Sequence, residues 1–175
     1  MTSIPAHDFE VRMRQILAGP HRIAVVGIGD ELLTYDRLGM IAAREIERLH
    51  LPDVKVFFAG TMPENVVKSI REFHPDHVLM LDAADMGAPP GSYDIIEPGR
   101  IQARLFSTHA LPLSSVMEFI AEDLKTMVTL VGIQPENTIE CDDLSDREQA
   151  GLSRLLVIMK SILGRPPKDH NSRDV

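Results

Sequence analysis

Cysteine is nearly missing from this 175-residue chain. The lone thiol, Cys141, excludes an internal disulfide and any metal knot built from several cysteines, and it fits a reducing compartment. No cluster of lysines and arginines occurs, and the formal net charge is −8. Nucleic acid is therefore disfavoured, because its backbone is bound through concentrated positive charge. No apolar run approaches the roughly 20 residues that span a bilayer, and the N-terminal MTSIPAHDFEVRMRQ lacks the apolar core of a signal peptide. The expectation is a soluble, cytoplasmic protein without membrane insertion. Internal repeats and low-complexity segments are absent as well. What is present is an apolar fraction of 44%, ordinary for a soluble domain, in a chain long enough for one full core.

Short apolar runs alternate with amphipathic stretches. Strands are predicted at Ile23–Gly27, Val54–Phe58, His77–Leu81, Tyr93–Ile96 and Met127–Val131, the third nearly all apolar and so central. Between them the 3.6-residue period predicts helices. The first runs from a capping Asp8 to Ala18 and is stopped by Gly19-Pro20. The next follows Asp36, with Leu38, Ile41, Ala42, Ile46 and Leu49 on one face. Thr61 caps another, with Pro63 in its first turn. Leu113–Leu124 turns Val116, Phe119 and Ile120 inward, after a short helix near Arg100–Leu105. A last helix, opened by a Ser145/Glu148 capping box, ends near Leu163. The pattern predicts a three-layer α/β/α sandwich with a mostly parallel, twisted central sheet. Residues 1–20 read as an N-terminal helical extension, 21–163 as the α/β domain, and 164–175 as a polar tail.

Chemistry is concentrated at three places. Asp36 follows the turn GIGDELLTYD, Asp82 ends the apolar run VLMLDAADMG, and His109 sits in the loop STHALPL. In a parallel sheet each falls at or just past the carboxyl end of a strand, the edge at which ligands bind in open α/β sheets. Two carboxylates and an imidazole there form either a metal site or a hydrolytic site. Each has a plainer role available. Asp36 suits the cap of the following helix. Asp82 suits a turn of backbone N–H groups, although a carboxylate ending a central strand is costly to bury without a partner or cation. A histidine is commonly satisfied within a core, although one in a loop beside two acids more often works. Asp85 lines the site or stabilises its turn. His74 and His77, flanking Pro75, read as surface and strand-edge residues. Met80, Met86, Met117, Met127 and Met159 read as core and groove filler.

Two common alternatives lack their signatures. Gly27-x-Gly29 opens like a dinucleotide fingerprint, but the third glycine is Leu32, and no acid ends the second strand. No Gly-x-Ser-x-Gly elbow is present, and Cys141 has no neighbouring histidine. A water-based hydrolysis is what remains.

From Arg22 to Leu163 the segments VVGIGDELLTYDRLG, LMLDAADMG with a following Pro-Gly turn, STHALPL and TLVGIQP together resemble the hydrogenase maturation endopeptidases, most closely the hydrogenase-3 type. The resemblance implies a twisted, mostly parallel sheet between helices. It implies an enzyme that removes a short C-terminal extension from the [NiFe] hydrogenase large-subunit precursor after nickel insertion. It places the family's metal-contacting residues on Asp36, Asp82 and His109, with the nickel brought by the precursor rather than held tightly by the free enzyme. Two positions depart from the family pattern, Asp30 where asparagine is frequent and Tyr35 before the first acid, so Asp30 and Glu31 stand as rival carboxylates. A non-proteolytic nickel-binding chaperone or docking module for hydrogenase assembly would use the same three side chains, and a nucleotide-binding protein would use Gly27 and Gly29.

Overall fold

The computed structural model describes residues 6–100, 112–136 and 143–164. The chain runs α1 (Ala6–Ile16), β1 (Ile23–Ile28), α2 (Leu38–Arg48), β2 (Val54–Gly60), a 3-10 turn (Pro63–Val66), α3 (Val67–Phe73), β3 (His77–Ala83), β4 (Tyr93–Ile95), a second 3-10 turn (Pro98–Arg100), α4 (Leu113–Leu124), β5 (Met127–Ile133) and α5 (Asp146–Leu163). The strands form one sheet in the order β2-β1-β3-β5-β4. All neighbours are parallel except β4, which runs antiparallel to β5. Strands β1 and β3 are buried at every position, as expected of parallel strands covered on both faces.

Side-chain alternation along β1 and β3 divides the core. Ile23, Val25, Leu79, Leu81 and Ala83 meet Phe9 and Met13 of α1, Ala42 and Ile46 of α2, and Leu155 and Met159 of α5. Ala24, Val26, Ile28, Val78 and Met80 meet Val67 and Ile70 of α3 and Leu113, Val116 and Ile120 of α4. This is the three-layer α/β/α sandwich that the periodicity predicts. Helix α1 contributes to the first core directly: Phe9 is buried edge-on to Tyr93, their centroids 4.9 Å apart. Arg12 extends to Asp94 at 3.3 Å and Glu97 at 2.7 Å.

The connectivity creates one special place. The chain leaves β1 through α2 and lays β2 on one side of it. It then crosses back through α3, on the opposite face, to lay β3 on the other side. Right-handed crossovers in opposite directions require helices on opposite faces, so the loops after β1 and β3 diverge. The crevice between their carboxyl ends is a topological switch point.

Several local expectations are corrected. Helix α1 starts at Ala6, so Asp8 lies within its first turn instead of preceding it. The segment after Thr61 opens as a 3-10 turn with Met62, not Thr61, at its N-cap position and becomes α-helical only at Val67. Phe119 is exposed, while Val116 and Ile120 on the same helix are buried. Met127 is exposed too, at the amino end of β5, whereas Met80, Met117 and Met159 are core. His77 is no surface residue. It is fully buried, its Nε2 lies 2.9 Å from Thr129 Oγ1, and burial pushes its pKa down to about 4. Its position at the amino end of β3, in register with Ile23 and Met127, roofs it with neighbouring strands. His74 does end α3 on the surface, in a left-handed conformation.

Candidate active site at the switch point

The loop from Gly29 to Arg37 carries Asp36 back over the sheet edge through two successive turns. Leu33 N–H donates to Asp30 O at 3.1 Å, and Asp36 N–H to Leu33 O at 3.0 Å. The Asp30 carboxylate accepts from Leu32 N–H at 2.9 Å, an Asx turn that the sequence DEL supports. Asp36, only 2% exposed, points inward and accepts from Asp30 N–H at 3.0 Å through Oδ2. Arg37, not Asp36, is the N-cap residue of α2, and its own side chain makes no capping bond. The N-cap position that the sequence offers to Asp36 thus falls one residue later.

Two glycines make this approach possible. Gly29 has φ +126°, and a Cβ on it would fall 1.8 Å from Asp36 O. Gly39, in the first turn of α2, fits against the strand ends. A Cβ there would stand 2.3 Å from Leu81 O, 2.4 Å from Ile28 O and 2.8 Å from Asp82 Cα. The turn of helix that follows Asp36 therefore rests on the backbone of Asp82, and the two acid-bearing segments adjoin.

Asp82 is 0% exposed, and its Oδ1 accepts from the N–H of Ala83 at 2.8 Å. It stands level with Gly132 of β5. By alternation its side chain shares the face of Val78 and Met80, the face covered by α3 and α4. Helix α4 begins at Leu113 and meets the Pro63–Val66 turn that follows the carboxyl end of β2. It therefore starts at the same edge, four positions after His109 in sequence. His109 itself lies outside the described residues, as does Cys141.

The rival acids are engaged locally. Glu31 is exposed and pairs with Arg44 at 2.5 Å. Asp30 closes its own turn, and Asp85 accepts from Gly87 N–H at 3.1 Å in the turn after Asp82. Among the described residues, no three His, Cys, Asp or Glu side chains are grouped to hold a metal ion. Two buried carboxylates at one crevice nonetheless suit a hard or borderline divalent cation.

One site-forming residue escapes a reading of the sequence. Gln134, in the GIQP segment, is buried, and its Oε1 accepts from Met86 N–H at 2.7 Å and Ala88 N–H at 3.4 Å. Its backbone accepts from Gly91 N–H and donates to Ser92 O, each at 2.8 Å. One residue thus pins the loop that leaves Asp82, its side chain holding Met86 and Ala88 and its backbone Gly91 and Ser92. The signal that marks it is the one that marks Asp82, a polar residue at the end of an apolar strand.

Comparison with known proteins agrees with this architecture. The family model described as HycI, hydrogenase maturation protease, matches residues 41–155. The hydrogenase 3 maturation protease of Escherichia coli K12 is 33% identical over 110 residues, which cover 62% of this chain and 70% of that one. The crystal structure of the [NiFe] hydrogenase maturation protease HycI from Thermococcus kodakarensis KOD1 superposes with a TM-score of 0.77 at 31% identity, covering 88% of this chain and 99% of that one. The hydrogenase maturating endopeptidase HybD of E. coli superposes at 0.59 with 26% identity, covering 80% and 93%. The chain belongs to the hydrogenase maturation protease family and is a peptidase.

Proposed function

We propose that this peptidase removes the C-terminal extension of a [NiFe] hydrogenase large-subunit precursor after nickel insertion, in the cytoplasm, with Asp36, Asp82 and His109 as its working residues. The observation that carries the reading is the pair of buried carboxylates on adjoining backbone at the switch point, in a chain of this family. The imidazole is assigned through the family's motif order, on STHALPL.

Nickel enters as cargo of the precursor, contacted by the two carboxylates and the imidazole. A divalent ion so held polarises a carbonyl or acidifies a water. The chain's own part is to exclude bulk solvent, orient the scissile bond and manage protons. Water adds to the carbonyl carbon and gives a proton to a carboxylate, and the C–N bond then breaks as that proton reaches the leaving nitrogen. Cleavage of this kind depends on carboxylates without requiring the shared-proton pair of two touching aspartates. A free enzyme that lacks a resident ion is completed by loaded precursor, so trimming waits for nickel.

The test is processing of purified precursor with and without nickel, followed by intact mass. Wild type should release a C-terminal peptide only from loaded precursor. Asp82→Asn and His109→Ala should each abolish release while keeping wild-type circular dichroism. Full cleavage by both variants would remove the proposed site, and equal cleavage without nickel would remove the gating.

A further inference from the structure

We propose that the exposed apolar corner made by Leu32, Leu33, Tyr35, Phe58 and Met62 is where the enzyme seats its protein substrate, through an apolar patch on the hydrogenase precursor. The inference rests on the reading of the substrate given above.

Nine large apolar side chains are exposed among the described residues, and five of them belong to these two short segments. The other four, Val11, Phe119, Met127 and Val157, are spread over α1, α4, the start of β5 and α5. Single exposed apolar residues are ordinary, but a contiguous group marks an interaction surface. The two segments that carry this group, residues 32–35 and 58–62, adjoin. Gly29 N–H donates to Gly60 O at 3.0 Å, which ties the loop after β1 to the end of β2. Arg44 binds Glu31 and lies 5.4 Å over the Phe58 ring, which links the same two segments from α2.

Three features select the occupant. Tyr35 immediately precedes the buried Asp36 and Leu33 lies three positions before it, so the corner is continuous with the edge where the scissile bond must lie. Beside it Glu31 and Arg44 neutralise each other, and Asp30 and Glu64 add acidic groups, so the corner offers an acidic peptide or an anionic lipid no net attraction. An apolar protein surface matches it instead. Finally, Leu32 is 90% exposed at the tip of a loop already held by the Asp30 and Asp36 turns. An apolar group presented on a pre-ordered loop loses little entropy on docking. A second copy of this chain seated there would cover the edge through which substrate enters.

The experiment compares Leu32→Asp, Met62→Asp and the distant control Val157→Asp in the full chain. Steady-state cleavage of nickel-loaded precursor, surface plasmon resonance against the same precursor and sedimentation velocity are measured for each. Burying one leucine or methionine side chain supports about a tenfold change in affinity. Leu32→Asp and Met62→Asp should therefore each raise KM and Kd about tenfold with kcat unchanged, and Val157→Asp should change neither. Unchanged KM in both corner variants while wild type cleaves would overturn the docking surface and leave the peptidase reading standing. So would a wild-type dimer that either corner variant converts to monomer. Wild type that binds precursor without cutting it would sink the peptidase reading alone, with Kd of the corner variants still deciding the docking surface. No binding by wild type would overturn both.

Discussion

Acid should destabilise this protein through His77 before it protonates the bulk of the carboxylates. The imidazole is wholly buried at the amino end of β3, with Thr129 Oγ1 at Nε2 and no hydrogen-bond partner at Nδ1 among the described residues. Burial lowers its pKa from 6.5 to about 4. The unfolded chain therefore takes up this proton before the folded one, and stability falls as pH drops through the window from 6.5 to 4. The shift corresponds to about 3 kcal/mol once both states are protonated. About 2 kcal/mol of it is lost between pH 7 and pH 5, where the unfolded histidine is mostly charged and the folded one is not. Urea denaturation of wild type and His77→Gln at pH 7, 6 and 5 measures this. Glutamine keeps a polar atom near the Nε2 position for Thr129 but does not titrate. The wild-type free energy should drop by about 2 kcal/mol more than that of the variant across the range. Parallel curves would refute the argument, whatever the stability of the variant at pH 7.

Gly39→Ala should destabilise by about 3 kcal/mol in urea melts, because the new methyl meets backbone oxygens of both β1 and β3. If the variant folds, lifting the α2 turn off Asp82 should lower kcat by about a hundredfold, so a fully active Gly39→Ala would contradict the assigned packing. Gln134→Ala should cost about 2 kcal/mol by leaving loop N–H groups unpaired. Unchanged melting of Gln134→Ala would show that the side chain does not pin the loop. Phe9→Ala should cost about 3–5 kcal/mol in the same assay, since α1 fills the first core, and a cost below about 1 kcal/mol would make the helix an appendage.

Element type was written locally. IAVVG, VKVFF and HVLML are apolar runs of strand length, and SDRE announces its helix by a capping box that both Ser145 and Glu148 complete. Asp82 stood out for the same local reason, since a carboxylate at the end of such a run must be compensated. Other features depended on what came to lie beside them. Phe119 and Ile120 are adjacent on an apolar stretch of helix, and only the seating of α4 on the sheet decides which is covered. His77 follows Pro75 and Asp76, a surface-like context, yet strand register encloses it. Gly29 and Gly39 look like ordinary turn and helix glycines until Asp36 and Asp82 press against them.

Taken alone, the order of residues determined the strands, most of the helices, the layered fold and the three side chains to suspect, because each is signalled over a few consecutive positions. Strand order, and with it the crevice between β1 and β3, was decided by tertiary structure. Handed crossovers and the burial of two apolar faces are properties of the assembled sheet, and no stretch of sequence carries them by itself.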